Sequence, residues 1–237
     1  MKERIIVALD TDSGETALGM VRTLSGEIGL VKVGMELFPR GGPELVRRIR
    51  ETGIDVFLDL KFHDIPNTVA GAIRSAAALG VRFATVHAAG GRAMLEAAAK
   101  AAEGTGTTVL AVTVLTSLDD ADLAEIGYAT GAADTVDRLA KIAIEAGIGG
   151  IVCSAGEAAR VRARAGESVL LVTPGVRLPE EERGDQKRVV APDEAARNGA
   201  DYLVVGRPIT KATDPVASAR RFASLMAQGL ESRRPRA

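Results

Sequence analysis

Tryptophan is absent from this 237-residue sequence, and aromatic residues make up only 3% of it. Proteins that grip single-stranded nucleic acid stack bases on such rings. Basic and acidic side chains nearly cancel, 30 against 31, so there is no excess of positive charge for a phosphate backbone. A nucleic-acid partner is therefore not expected. One cysteine, Cys153, excludes an internal disulfide and fits a reducing compartment; its apolar setting reads as core rather than nucleophile. Two histidines, His63 and His87, with no third ligand in sight do not make a metal site. No apolar run is long enough to span a bilayer. Met1-Lys2-Glu3-Arg4 leads straight into a strand without a signal-peptide pattern. The expectation is a soluble, cytoplasmic protein with no membrane partner.

What is present is a regular alternation. Short β-branched runs, at Ile5–Leu9, Leu30–Val33, Val56–Leu60, Phe83–His87, Val109–Val114, Gly150–Cys153, Val169–Val172 and Tyr202–Val205, are predicted strands. Between them the spacing predicts helices near 14–25, 42–51, 66–79, 91–102, 134–146, 156–165 and 192–199, with a last one near 214–229. The strands are continuously apolar, as parallel strands covered on both faces are. Eight strand–helix units in a chain of this length predict an α/β fold of the (β/α)8 TIM-barrel type, a single domain over 1–230, with a frayed polar tail at 231–237. An open doubly wound sheet would share the alternation. It is disfavoured because Leu9 is followed by Asp10-Thr11-Asp12-Ser13-Gly14 and not by a Gly-x-Gly-x-x-Gly turn.

A barrel concentrates its chemistry at the carboxyl ends of its strands. Asp10 closes the first, Lys32 lies in the second, and the third runs into Asp59-Leu60-Lys61-Phe62-His63-Asp64-Ile65-Pro66-Asn67-Thr68. Strand alternation puts Asp59 and Lys61 on one side. His87, Thr116-Ser117, Ser154, Thr173-Pro174-Gly175-Val176-Arg177 and Gly206-Arg207 follow at the ends of the remaining strands. Lys32, Asp59, Lys61 and Asp64 form one constellation. Ion pairs can be merely structural, but arginine would hold a structural pair better, whereas lysine can carry and transfer a proton. Asp64 on its own stays open between catalysis and a helix N-cap before Ile65-Pro66. Arg177, Gln186, Gly206 and Arg207 form the second constellation, placed where barrels bind phosphate. The charged stretch from Arg177 to Arg188 reads as a lid over it. His87 reads as a hydrogen-bonded rim residue and His63 as a surface or supporting one.

These residues together resemble the orotidine 5′-monophosphate decarboxylase family in its shorter bacterial form. The anchors are Leu9-Asp10, Val31-Lys32-Val33-Gly34, the decapeptide from Asp59 to Thr68, Val86-His87-Ala88, Leu115-Thr116-Ser117, Thr173–Arg177, Gly184-Asp185-Gln186 and Val205-Gly206-Arg207. They span nearly the whole chain, and the match is loose only between Leu118 and Asp134. The resemblance implies Lys61 as general acid, with Lys32, Asp59 and Asp64 as its catalytic partners. It implies Asp10 and Lys32 on the ribose, Thr116 and Ser117 on the pyrimidine side, and Arg177, Gln186, Gly206 and Arg207 on the phosphate. It implies a homodimer in which Asp64, Ile65 and Thr68 reach the neighbouring site, and no metal, flavin or pyridoxal cofactor. Two alternatives stay open: a magnesium-dependent sugar-phosphate enzyme of the same barrel group, and a silent barrel that only binds phosphate ligands.

Overall fold

Residues two apart on a strand face the same way, and in this molecule that period sorts the strands into inner and outer columns. The computed structural model describes residues 1–178 and 190–233; positions 179–189 and 234–237 lie outside the described residues. The elements are β1 (Ile5–Ala8), α1 (Gly14–Thr23), β2 (Leu30–Gly34), α2 (Phe38–Glu51), β3 (Asp55–Phe62), α3 (Pro66–Ala78), β4 (Phe83–His87), α4 (Arg92–Ala102), β5 (Thr108–Val112), α5 (Asp120–Glu125), α6 (Ala132–Glu145), β6 (Gly150–Val152), α7 (Ala155–Ala165), β7 (Leu170–Thr173), α8 (Pro192–Arg197), β8 (Tyr202–Val205), α9 (Arg207–Thr210) and α10 (Pro215–Arg233). The strand pairs are parallel, and β1 pairs with β8 to close the barrel. The expected (β/α)8 architecture is the observed one.

The outer column packs against the helices. Ile5, Val7, Val31, Val33, Val56, Leu58, Ala84, Val86, Leu203 and Val205 belong to one continuous core with the buried faces of the helices. On α6 those are Val136, Leu139, Ala140 and Ala143, at the three- and four-residue spacing that keeps one face inward. The inner column fills the barrel: Ile6, Ala8, Leu30, Phe57, Phe83, Leu110, Val172 and Val204 form a second, separate cluster. Three of the scarce aromatic rings meet there. Phe57 touches Phe83 edge-on at 6.0 Å between centroids, and Phe83 touches Tyr202 at 5.1 Å. Continuing an inner column upward by two residues replaces apolar groups with polar ones: Leu30 gives way to Lys32, Phe57 to Asp59 and Phe83 to Thr85. The floor is sealed with rings and the upper rim carries charge.

At the opposite end of the barrel, Asp201 ties several elements together. It takes an ion pair from Arg162 of α7 and another, at 3.4 Å, from Arg233 of α10, and it accepts the Leu171 amide of β7 at 2.8 Å. These contacts explain why α10 extends to Arg233. Residues 231–233, expected to fray, form its last turn, held by Arg233 to Asp201 and Glu167.

Other local differences from the sequence reading have physical causes. The helix expected from position 42 begins at Phe38 and is broken at Gly42, whose φ of 55° suits glycine, with Pro43 restarting it. A short helix, α5, lies in the stretch of loose resemblance, capped by Asp119 accepting the amides of Ala121 and Asp122. Finally, β3 runs to Phe62, past its expected end at Leu60, because the strand continues through a bulge.

Candidate active site

That bulge builds the site. Leu58 pairs with Ala84 and Phe62 with Val86, so the segment between them on β3 is longer than its partner on β4. Lys61 absorbs the excess with a φ of 49°, the one non-glycine positive φ among the described residues. Plain strand alternation therefore does not account for the meeting of Asp59 and Lys61. The turned backbone brings the Lys61 ammonium to 2.9 Å from both Asp59 carboxylate oxygens. Lys32 reaches the same carboxylate from β2, at 3.6 Å, and also stands 3.2 Å from Asp10. Acid and base thus alternate through Asp10, Lys32, Asp59 and Lys61. The Asp59 side chain is 12% exposed and that of Lys32 14%, so water screens them little and each charge depends on its neighbours.

A cavity of about 690 Å³ opens above this row. Its lining includes Asp10, Lys32, Asp59 and Lys61 on one part, and Thr116 and Ser117 from the β5–α5 loop. Arg177 from the loop after β7, Gly206 after β8 and Arg207 at the start of α9 also line it. Apolar surface comes from Phe57, Val112, Val114, Leu115, Val152 and Pro174. This is the mixture a nucleotide-sized ligand calls for: apolar walls with convergent polar groups. Arg177 is buried, and its backbone amide donates to the Val190 carbonyl at 3.2 Å, closing the chain on either side of 179–189. Gln186 and nearly all of the expected lid lie outside the described residues.

Three predicted site residues are not in the cavity of this chain. Asp64, Ile65 and Thr68 are exposed beyond its rim, Ile65 to 68%. The helix-cap alternative for Asp64 does not hold. Its carboxylate accepts the amide of its own neighbour Ile65 at 2.6 Å, whereas the N-cap position of α3 is Ile65, without a side-chain bond. Cys153, expected in the core, is buried yet lines the cavity as well.

The two histidines stack, rings 5.3 Å apart and inclined by 15°, with His63 exposed and His87 half-buried. Burial, then the positive charge of His63 and of Lys61, holds the His87 imidazole below its usual pKa. Its Nδ1 accepts the Ala89 amide at 3.3 Å, which leaves the ring proton on Nε2. Among the described residues, no three His, Cys, Asp or Glu side chains are grouped so as to hold a metal ion.

Known proteins resemble this chain in sequence and in fold. The model of the orotidine 5′-phosphate decarboxylase / HUMPS family matches residues 3–222. The chain belongs to that family. It is similar to the orotidine 5′-phosphate decarboxylase of Anaeromyxobacter sp. (strain K), 54% identical over 222 residues, covering 94% of this chain and 97% of that one. It is also similar to the protein of the same name from Nitrosomonas eutropha, 50% identical over 219 residues, 92% and 95% of the two chains. The crystal structure of orotidine 5′-phosphate decarboxylase from Lactobacillus acidophilus superposes with a TM-score of 0.85 at 37% identity, covering 94% of this chain and 99% of that one.

For a member of the orotidine 5′-phosphate decarboxylase / HUMPS family, this chain places several contributors that the sequence reading passed over. Lys211, just after α9, adds a third cation to the Arg177 and Arg207 part of the cavity lining. Thr85 is wholly buried beneath Asp59 and Lys61. Gly34 lies against the Lys32 ammonium. A signal for Thr85 was present, since it is the polar member of the inner column above Phe83. Threonine is common in strands, so by itself it attracts no attention.

Proposed function

We propose that this chain decarboxylates orotidine 5′-monophosphate to uridine 5′-monophosphate in pyrimidine biosynthesis, without a cofactor. The observation that carries the reading is the Lys61 ammonium, seated on Asp59 within the cavity that Arg177 and Arg207 also line. Loss of carbon dioxide from C6 leaves a carbanion with no carbonyl placed to delocalise it. A cation already in position stabilises that charge as it develops, and Lys61 fills this role before donating its proton to C6. Asp59 sits against the departing carboxylate, a repulsion relieved when neutral carbon dioxide forms. At ~4 Å and an effective dielectric of ~20 that repulsion is about 4 kcal/mol, before Lys32 offsets it. Enzymatic acceleration typically needs about 8–23 kcal/mol, so stabilisation by Lys61 ranks ahead of stress from Asp59. Asp10 and Lys32 hold the ribose, Thr116 and Ser117 the pyrimidine, and Arg177, Gln186, Gly206 and Arg207 the phosphate. Binding energy from the phosphate holds the reacting end in its crowded charge arrangement.

The magnesium-dependent sugar-phosphate alternative needs a further carboxylate near the end of β2. Lys32 occupies the inner column there with Asp10 and Asp59 on its ammonium, and the next carboxylate along the chain, Glu36, is exposed and does not line the cavity. Ammonium groups stand on Asp59 where a divalent ion would bind. The experiment is absorbance loss of orotidine 5′-monophosphate with purified protein in EDTA. Turnover is expected to persist there; turnover that requires added magnesium would overturn the reading. Lys61→Ala is expected to abolish turnover while still binding uridine 5′-monophosphate.

The same reading makes the working unit a cytoplasmic homodimer, with Asp64, Ile65 and Thr68 completing the partner's cavity. Support comes from the exposure of these residues beside a rim that also exposes Met35 and Leu115. Mixing inactive Lys61→Ala and Asp64→Ala chains then restores activity, because each mixed dimer contains one complete site. No recovery from subunits shown to exchange would remove the shared-site assignment.

A further inference from the structure

Thr85 does not line the cavity, yet the two groups on which the reaction turns both rest on its hydroxyl. Its Oγ1 is 2.8 Å from the Lys61 backbone nitrogen and 2.9 Å from Asp59 Oδ1, and the residue has no solvent exposure. The direction of the two bonds follows from elementary chemistry. A backbone N–H can only donate, so Thr85 accepts from Lys61, and its single hydroxyl proton goes to the carboxylate. The first bond satisfies an amide left over by the bulge, at the residue whose φ is 49°. The second fixes one oxygen of the carboxylate that the Lys61 ammonium grips from the far end of the same residue. Lys61 is thereby held at its backbone directly and at its ammonium through Asp59.

We infer that Thr85 is a positioning residue of this site, pinning the bulged backbone of Lys61 and the Asp59 carboxylate so that the Lys61 ammonium faces the reacting carbon. The inference rests on the decarboxylase reading with Lys61 as proton donor. Ammonium placement matters most where charge develops in the transition state, and a lysine left to its own rotamers loses that alignment. A hydroxyl that does not touch substrate has no direct part in binding the nucleotide. Its loss is therefore felt in kcat rather than in ground-state affinity.

The test compares Thr85→Val, which keeps the shape and removes both bonds, with Thr85→Ser, which keeps the hydroxyl and removes a methyl. Each is assayed for kcat and KM with orotidine 5′-monophosphate, for uridine 5′-monophosphate affinity by calorimetry, and for thermal midpoint. In Thr85→Val, kcat is expected to fall by about 10- to 100-fold, the worth of one hydrogen bond to a charged group, with KM and product affinity within about threefold of the parent. Thr85→Ser is expected to recover most of the lost kcat. An unchanged kcat in Thr85→Val, or equal losses in the two variants, would overturn the inference and leave Thr85 a packing residue. If Thr85→Val does not fold, Thr85→Ser against Thr85→Ala decides on the same grounds. Lys61→Ala is run alongside. Turnover there removes the reading on which the inference stands, whereas a dead Lys61→Ala beside a fully active Thr85→Val removes the inference alone.

Discussion

A methyl group on Gly34 would lie 2.9 Å from the Lys32 Nζ. The two residues share a face of β2, and the bare Cα of Gly34 gives the Lys32 ammonium room to lie between Asp10 and Asp59. Gly34 does not have positive φ, so space and not backbone freedom is the reason for glycine here. In Gly34→Ala the flexible tip of Lys32 moves and the fold stays. The thermal midpoint is expected to change by no more than a few degrees, while kcat/KM falls about tenfold or more. Equal activity in the alanine variant would show that the seat of Lys32 is not used.

The proposed phosphate end offers a variant that should change binding and not stability. A methyl on Gly206 would make only ordinary contacts, 3.6 Å from Ala8 Cβ and 3.7 Å from Asp10 Oδ2. Arg207 is exposed at the cavity lining. Arg207→Ala is expected to weaken uridine 5′-monophosphate binding by about 10- to 100-fold, as for a lost charge-assisted bond. Uridine, which has no phosphate, should bind parent and variant alike in calorimetry. Loss of uridine affinity too would point to a disturbed cavity instead.

Asp201 does not line the cavity and ties α7, α10 and β7 together. With the guanidinium groups of Arg4, Arg162 and Arg233 and a strand amide on one largely buried carboxylate, removing its charge takes an acceptor from each and leaves Arg162 and Arg233 only their neighbouring carbonyls and Glu167. Asp201→Ala is expected to cost about 3–5 kcal/mol in urea unfolding, with kcat of the folded fraction unchanged. A change below about 1 kcal/mol would mean that solvent or neighbouring carbonyls replace it.

His87 sets an acid limit. Its folded pKa is lowered, first by burial and then by the charges of His63 and Lys61, from the ordinary 6.5. Below that value the unfolded chain binds a proton that the folded chain refuses, so stability is full above it and declines as pH falls toward the folded value. His87→Asn, whose amide oxygen can still accept from Ala89, is expected to flatten the fall in thermal midpoint as the pH drops below about 6.5. An unchanged slope would assign the acid sensitivity to other groups.

Much of this molecule follows from local order. The eight alternating units and the inward positions of Lys32 and Asp59 come from strand periodicity, and those of Asp10, Arg177 and Arg207 from following a strand's carboxyl end, both properties of neighbouring residues. Asp64 shows where that logic stops: a cap and an exposed carboxylate have the same sequence signature, and only the backbone of α3 separates them.

Reading along the chain is enough to say which side chains stand at the carboxyl end of the barrel, because alternation and strand ends are written locally. How those side chains meet is a property of the closed barrel. The extra length of β3 against β4 turns Lys61 into a left-handed conformation and onto Asp59, and Thr85, 26 positions from Asp59, receives both. A bulge is a mismatch between two strands, so neither strand alone encodes it.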